Sequence, residues 1–558
     1  MNTENALKKA TELLAPWASA PNTPEPNRLD FQVAPGDLPA AVQTLIDRRW
    51  GYLSAITGMD PGAESGLLEG LYHFCSGAAI VTLRVGTPRA APSIPSICHI
   101  IPSASLYERE VMEMFGIEMP GTPNTERLFL PDDWPSGVYP LRKDWDPKQA
   151  PLPAPRSTSG PDPELVAQNG SRYTIPIGPQ HPALKEPGHF EFTVDGEIVT
   201  GAAVRLGYVH RGIEKAAEER TWIQNLYLFE RICGICSHTH SYAYTLGVER
   251  LAGVEVSARA QAIRELVAGL ERIHSHLLWL GVAAHEAGFD TLFMYSWRDR
   301  ETVMDLLEGL TGNRVNYSIN VLGGVKCDVD AEQAAAIRKG MDFLEQRSQH
   351  YLDVVTTDAA FLQRTRGVGT MSAEEVERLG VVGPTARASG VVRDVRVEAP
   401  YGAYAHYPVS TVYETAGDLE AKFVVRIKEL FVSYKTILSI IDNLPEGELA
   451  VRFPRKIPAG ETISRVEAPR GELLYFIKSG GGEKPERIKV RTPSICNFSS
   501  VIQLVVGHQL ADVPMILAGI DPCFSCNDRM VVLDRRDGQR RSMAWEDLRQ
   551  YGIERYKA

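Results

Sequence analysis

The chain has 558 residues, 44% of them hydrophobic and 23% charged, with a formal net charge of -11. That length exceeds one typical domain and allows a sizeable core, while the acidic balance, with no long basic run, excludes nonspecific nucleic-acid binding. Eight cysteines in so long a chain, with no apolar signal segment over Met1 to Lys9, argue for a reducing cytoplasm and against a disulfide framework. The most apolar stretch near the end, Val501 to Ile520, is too interrupted by Gln503, His508, Gln509 and Asp512 to span a membrane.

Taken in order, residues 1–144 predict a small α/β part, with a helix over Thr3 to Leu14 and short β-rich runs such as Ala78 to Val85. Residues 145–170 carry Pro147, Pro151, Pro153, Pro155, Pro161 and Pro163, which remove backbone donors and fix φ, so an extended, semi-stiff linker is expected. Residues 171–529 open with Tyr173 to Pro182 and an alternating run, His189 to Val199, around an Asp195-Gly196 turn. Helical spacing then dominates Ser257 to His285, Asp299 to Leu310, Ala331 to Arg364 and Asp418 to Asp442, the pattern of a bundle. Residues 530–558 form a charged, helix-prone tail. The expected fold is therefore α+β: a small α/β domain joined by a Pro-rich linker to a mainly helical domain.

The chemistry centres on Arg231-Ile-Cys-Gly-Ile-Cys-Ser-His-Thr-His240, where Cys233 and Cys236 stand three positions apart with helical flanks on either side. On a helix their thiols would share one face. A second pair, Cys523 and Cys526, makes four thiols, and the two pairs are expected to meet at the edge of the bundle. A structural zinc site is one alternative, but its pairs are usually about 15 to 20 residues apart. Here 287 positions separate Cys236 from Cys523. A thioredoxin-like pair is another, and it leaves the second pair unexplained. Cys75, Cys98, Cys327 and Cys496 read as small buried hydrophobes.

Arg231-x-Cys233-Gly-x-Cys236-x-x-x-His240, with Asp521-Pro-Cys523-x-x-Cys526-x-x-Arg529, resembles the two signatures of nickel-iron hydrogenase large subunits. Tyr107-Glu-Arg-Glu-Val-Met-Glu-Met-Phe-Gly-Ile-Glu118, with Leu128 to Trp134 and Pro140 to Asp144, is similar to the 30-kDa subunit of respiratory complex I. Leu206 to Lys215 and Arg298 to Leu306 fit both the complex I 49-kDa subunit and the hydrogenases. The fusion with both cysteine pairs kept resembles large subunits of the membrane-associated, energy-converting hydrogenases, the formate hydrogenlyase (hydrogenase 3 and 4) type.

That resemblance implies a hydrogen-evolving enzyme with nickel held by all four thiolates and an iron, carrying carbon monoxide and cyanide, bridged by Cys236 and Cys526; Cys233 and Cys523 would be terminal on nickel. It implies Glu214 as a proton-relay carboxylate, provided burial lifts its pKa, and Arg470 over the open side of the metals. Ser494 would donate to cyanide, Thr492 offering the same group, and His240 would sit beside the site. The competing readings are a helix-surface glutamate paired with Lys215 or Arg211, a turn arginine and a satisfied core histidine. A magnesium ion is compatible with the resemblance, and no flavin or NAD is expected on this chain. The implied partners are an iron-sulfur small subunit (complex I 20-kDa-like), ferredoxin-like and membrane antiporter-like subunits, formate dehydrogenase or another electron donor, and a maturation protease cutting after Arg529. The expected location is cytoplasmic, on the inner face of the membrane through those partners. The 30-kDa-like part would be a docking piece without cofactor, its charged residues solvated or interfacial. Two other functions compete. A quinone-reducing complex I subunit conflicts with the four cysteines and with Lys185, where that pattern has a histidine; a noncatalytic assembly subunit would hold structural zinc.

Overall fold

The computed structural model describes residues 2–19, 21–130, 134–146, 172–178, 184, 186–524, 532–533 and 540–541. Helix α1 (Thr3–Leu14) starts where the Asn2 side chain accepts the Asn5 N–H, and it buries Ala6, Leu7, Ala10 and Leu14, the stripe expected of an amphipathic helix. Strands β1 (Asn22–Glu25) and β2 (Arg28–Gln32) precede α2 (Leu38–Asp47), and β3 (Tyr52–Met59), β4 (Leu67–Ser76) and β5 (Ala79–Pro88) follow it. They form one sheet of order β1-β2-β5-β4-β3, in which β2 and β5 are parallel and the other pairs antiparallel. Helix α3 (Ala104–Phe115) packs on β3 so closely that a Cβ on Gly58 would lie 2.4 Å from the Phe115 ring.

A second antiparallel sheet, β6 (Arg172–Ile177), β7 (His189–Asp195) and β8 (Ile198–Arg205), contains the hairpin read from the Asp195-Gly196 turn. Helices α4 (Ile213–Glu219), α5 (Trp222–Glu230), α6 (Ser237–Ala252), α7 (Ala258–Glu286) and α8 (Asp290–Thr311) come next. After the small hairpin β9 (Asn320–Val321) and β10 (Gly324–Val325) come α9 (Ala331–Thr357), α10 (Ala359–Thr365), the short α11 (Ala373–Arg378), α12 (Pro384–Arg387) and α13 (Val395–Glu398), and then α14 (Leu419–Asp442). α7, α8, α9 and α14 pack around Leu270, Leu307, Leu344, Ile427 and Tyr434, as the helical spacing requires. The span Ala331 to Arg364, expected as one helix, breaks at Asp358, whose carboxylate caps α10 by accepting the Phe361 N–H at 2.8 Å.

The chain closes its described core with a third antiparallel sheet, β11 (Gly460–Ala468), β12 (Gly471–Ser479) and β13 (Pro485–Arg491), followed by α15 (Pro493–Leu504) and α16 (Val513–Gly519). In the tail, β14 (Val532–Leu533) pairs with β15 (Arg540–Arg541). All but two residues of the expected linker lie outside the described residues, as do Cys526, Arg529, Lys185 and most of the tail. Among the described residues no helix is long and apolar enough to cross a membrane.

The first and third sheets share a core: Tyr52, Ala55, Met59 and Leu71 meet Ile463, Leu474 and Phe476. Covered on both faces, β3 is buried at every position. The polar centre of this seam is Glu472, which accepts Tyr52 Oη and Ser54 Oγ at 2.6 Å each and pairs with Arg465 and Arg491. Burial alone would raise its carboxyl, but the two guanidiniums hold it far below the ordinary carboxylate value. Removing the charge strands two buried cations, so Glu472→Ala is expected to destabilise the protein by about 3–5 kcal/mol, seen as earlier unfolding in a denaturant series. Because folding lowers this pKa, the stabilisation is complete above roughly pH 5 and is lost as pH falls through the folded value.

Of the charges expected to be solvated or interfacial over Tyr107 to Glu118, Glu118 is exposed and Glu110 meets Lys489 of the C-terminal part, but Glu108 and Arg109 turn inward. Glu108 is fully buried, accepting Ser96 Oγ at 2.7 Å and the Ile97 N–H at 2.8 Å, and Arg109 and Glu110 are buried too. A loop–helix seam fixed by such internal bonds leaves little of this face of α3 for solvent. Of the cysteines read as buried hydrophobes, Cys75, Cys98 and Cys496 are buried, and Cys327 is only half-buried.

Candidate active site

Cys233 and Cys236 lie in the turn between α5 and α6, not on a helix, with Cys236 at the N-cap of α6. The turn supplies the proximity that a helix face was expected to give: the Cys233 Sγ accepts the N–H groups of Ile235 and Cys236 at 3.3 and 3.4 Å. Cys236 offers no side-chain cap to α6, and Glu271 of α7 substitutes for it, accepting the His238 and Thr239 N–H groups at 2.7 and 3.0 Å. Cys523 follows α16 and brings its sulfur to 3.4 Å from that of Cys233, both thiols at most 2% exposed. A disulfide would require about 2.05 Å. Sulfurs sharing one metal at about 2.3 Å each stand roughly 3–4 Å apart, so this spacing fits a common ion.

Arg470 sits in the turn joining β11 to β12 and is 2% exposed. Its Nε donates to the Asp521 carbonyl at 2.8 Å and its Nη2 to the Asp521 carboxylate at 3.0 Å, pinning a non-glycine residue at φ +53 two positions before Cys523. Burial works against the guanidinium charge, but Asp521 and the sulfurs of Cys523, Cys233 and Cys236 hold its pKa above the ordinary value. Its Nη1 is buried without a hydrogen-bond partner among the described residues. An unsatisfied donor beside three sulfurs suits an anionic group on a bound metal.

Ser494 accepts the Cys523 N–H at 3.2 Å, so its hydroxyl holds the cysteine backbone in place. Thr492 Oγ1, the alternative hydroxyl, is buried without a partner among the described residues. His240, on α6, bonds Tyr475 Oη through Nδ1 at 2.8 Å; burial pushes it down to about 4, and Cys233 opposes that. Two further residues belong to this neighbourhood. Glu271 is pushed up to about 8 by burial, with Cys233 adding to the rise. His274 is pushed down to about 3 by burial, Arg300 and Arg470; its Nδ1 accepts from Arg300 at 2.9 Å, so the neutral ring carries its proton on Nε2, which has no partner among the described residues. A hint in the sequence was the run of charged and histidine residues inside α7, too polar for a helix buried along most of its length.

Glu214, near the start of α4, pairs with neither Lys215 nor Arg211. Its carboxylate accepts Arg487 Nη1 at 2.7 Å and the Val490 N–H at 3.0 Å, with Lys489 Nζ at 3.4 Å. Burial pushes this carboxyl up, but Lys489, Arg487 and the Val490 amide hold it below the ordinary value. The lifted pKa expected of a relay is therefore absent at Glu214 itself. Glu214 lines a cavity of about 100 Å³ together with Glu110, Ile232, Lys489 and Thr492, and Ile232 adjoins Cys233. Arg211 braces that strand of the turn, donating to the Arg231 and Ile232 carbonyls at 2.8 and 2.9 Å. The fourth cysteine, Cys526, is outside the described residues.

Known families and proteins resemble this arrangement along nearly the whole chain. The family described as "Respiratory-chain NADH dehydrogenase, 30 Kd subunit" matches residues 31–151, "Nickel-dependent hydrogenase" matches 211–281, and "Respiratory-chain NADH dehydrogenase, 49 Kd subunit" matches 286–529. Formate hydrogenlyase subunit 5 of Escherichia coli (strain K12) is 37% identical over 536 residues, 95% of this chain and 94% of its own length. Hydrogenase-4 component G of the same organism is 33% identical over 537 residues, 96% of this chain and 94% of its own. A chain in the structure of the membrane-bound sulfane sulfur reductase, an archaeal respiratory membrane complex, superposes with a TM-score of 0.62 at 33% identity, covering 64% of this chain and 99% of that one.

Proposed function

This chain belongs to the large subunits of membrane-associated nickel-iron hydrogenases of the formate hydrogenlyase type, with complex I 30-kDa-like and 49-kDa-like parts fused, and from that premise we propose that it is the catalytic subunit of a hydrogen-evolving enzyme. The reaction is the reversible joining of two protons and two electrons into dihydrogen. One observation carries this reading: Cys523, far from Cys233 in sequence, brings its sulfur to 3.4 Å from that of Cys233 in a buried site that also includes Cys236.

Cys233, Cys236, Cys523 and Cys526 would hold the metals, their soft thiolates suiting nickel and low-spin iron. When bound, a nickel-iron pair with carbon monoxide and cyanide supplies the redox-active site at which hydrogen is made or split. Arg470, fixed by Asp521, sets its positive charge against the sulfurs, and its Nη1, without a partner among the described residues, would orient an anionic ligand without reorganisation. Ser494 keeps Cys523 oriented through its amide. Glu214 moves protons: as a resting carboxylate between Arg487 and Lys489 it takes a proton from one side and returns it to the other. Electrons enter from an iron-sulfur small subunit at the inner face of the membrane, with ferredoxin-like and antiporter-like subunits and formate dehydrogenase as further partners.

The 30-kDa and 49-kDa family matches also suit a quinone-reducing subunit. Hydrogen evolution by the purified complex, driven by a reduced viologen, separates the two: dihydrogen at a rate set by enzyme concentration supports the hydrogenase, and quinone reduction without dihydrogen supports the alternative. Maturation gives a second test. Mass spectrometry of chains from nickel-replete cells is expected to find a C-terminus at Arg529, and from nickel-starved cells at Ala558. Active enzyme that retains Ala558 would show that this copy dispenses with processing.

A further inference from the structure

The N-terminal part contributes a side chain to the surroundings of Glu214. Glu110, on α3 and 9% exposed, forms a buried ion pair with Lys489, whose Nζ also reaches Glu214 at 3.4 Å. One ammonium therefore joins two carboxylates from opposite sides of the seam. Both carboxylates line the same cavity of about 100 Å³, and Thr492 Oγ1, buried without a partner among the described residues, lines it as well. That volume has room for several waters, and in a lining otherwise formed largely by apolar groups such as Met114, Phe129, Leu141 and Ile495 the carboxylates, the ammonium and the hydroxyl are the partners they would bond.

One turn along α3 from Glu110 stands Glu113, on the same helix face. Its carboxylate accepts the N–H groups of Leu128, Phe129 and Leu130 at 3.1, 2.9 and 3.2 Å. It also lines a second cavity, of about 240 Å³, whose rim includes the exposed Glu126, Ser136 and Gly137. Three carboxylates thus run in sequence from the neighbour of Cys233 to the surface. Each faces named charges: Glu214 faces Arg487, Lys489 and Glu110; Glu110 faces Lys489, Arg487 and Glu214; Glu113 faces Arg109 and Glu110.

We propose that protons reach Glu214 through the N-terminal part of the chain, passing from the surface to Glu113, then to Glu110, and across the cavity beside Lys489. Each handover breaks one O–H bond and makes another, carries one proton and moves no electron. Protonation favours the two outer carboxyls over Glu214. Burial pushes Glu113 up to about 7, three amides opposing it and Glu110 adding to it. Burial also raises Glu110, opposed by Lys489 and reinforced by Glu214. Near neutral pH the outer carboxyl can load from solvent; transfer onward to Glu214, held below the ordinary carboxylate value, runs uphill, so Glu214 carries the proton only in passing. The 30-kDa-like part is then a proton conduit as well as a docking piece.

This inference rests on the reading of Glu214 as a relay, and the tests keep the two apart. In the assembled complex, Glu110→Gln and Glu113→Gln are each expected to slow hydrogen evolution and deuterium–proton exchange by roughly tenfold or more. Nickel and iron content should be unchanged, the solvent isotope effect should rise, and Glu110→Asp should restore most of the rate. Difference infrared spectra of the parent should show a protonated carboxyl C=O stretch that shifts in heavy water and disappears in Glu110→Gln. Because Glu110→Gln also breaks the pair with Lys489, Glu113→Gln, which touches no cation by hydrogen bond, serves as the variant least exposed to misfolding. Parental exchange in both Gln variants, with Glu214→Gln impaired, would overturn the conduit and leave the Glu214 reading standing. Parental exchange in Glu214→Gln as well would overturn both.

Discussion

Cys523→Ser or Cys233→Ser, made in the assembled complex, is expected to reduce hydrogen evolution to background. A hydroxyl has a far higher pKa than a thiol and is a poor ligand for soft metals, so serine removes both the charge and the bond. The two sulfurs lie 3.4 Å apart with Arg470 raised above its ordinary pKa by Asp521 and the sulfurs; losing either leaves the guanidinium with less compensation in a buried site. Nickel content should fall with activity, and the chain should keep its residues after Arg529. The half-buried Cys327 gives the contrast: Cys327→Ser should evolve hydrogen as the parent does. Full activity in Cys523→Ser or Cys233→Ser would rule out the shared thiolate site.

Glu214→Gln isolates proton movement from metal assembly. The amide keeps the size of the side chain and one acceptor oxygen, for the Val490 N–H or for Arg487 but not both, and it cannot ionise. Acid–base groups typically contribute about 100- to 10,000-fold, so a loss of at least about 100-fold in hydrogen evolution is expected, with a matching loss of deuterium–proton exchange. The metals should remain, because no proposed ligand is touched. Neutralising a partner of Arg487 and Lys489 does cost stability, so nickel and iron content is the check that the fold survived. If the Gln variant holds its metals and exchanges at the parental rate, Glu214 is a structural partner of two cations and protons travel elsewhere.

Much of this architecture was legible in the sequence because long helices announce themselves. The spacing over Ser257 to His285 and Asp418 to Asp442 corresponds closely to α7 and α14, and Thr3 to Leu14 is α1. β12 was not legible: Gly471 to Ser479 is buried on both faces, and a strand without an exposed face loses the alternation that marks strands. The cysteine spacing pointed to proximity of Cys233 and Cys236, and the structure achieves it with a turn, since Gly234 and the amides of Ile235 and Cys236 wrap the first sulfur. Resemblance supplied Arg470, which a turn arginine alone would not reveal; its partner is Asp521, 51 positions away. Glu271 and His274 were missed because what they meet, the first turn of α6 and Arg300, is brought to them only by tertiary packing. The charges of α3 misled for the same reason. A run of Glu and Arg reads as solvated until a second sheet covers it, and Glu110 then becomes half of an ion pair with a residue 379 positions away.

The most direct measurement is metal analysis of the purified, mature complex combined with infrared spectroscopy of the same sample. Nickel, with iron in excess of it because the iron-sulfur small subunit adds its own, and stretching bands of bound carbon monoxide and cyanide are expected. Zinc in place of nickel, with no such bands, would contradict the four-thiolate hydrogenase centre.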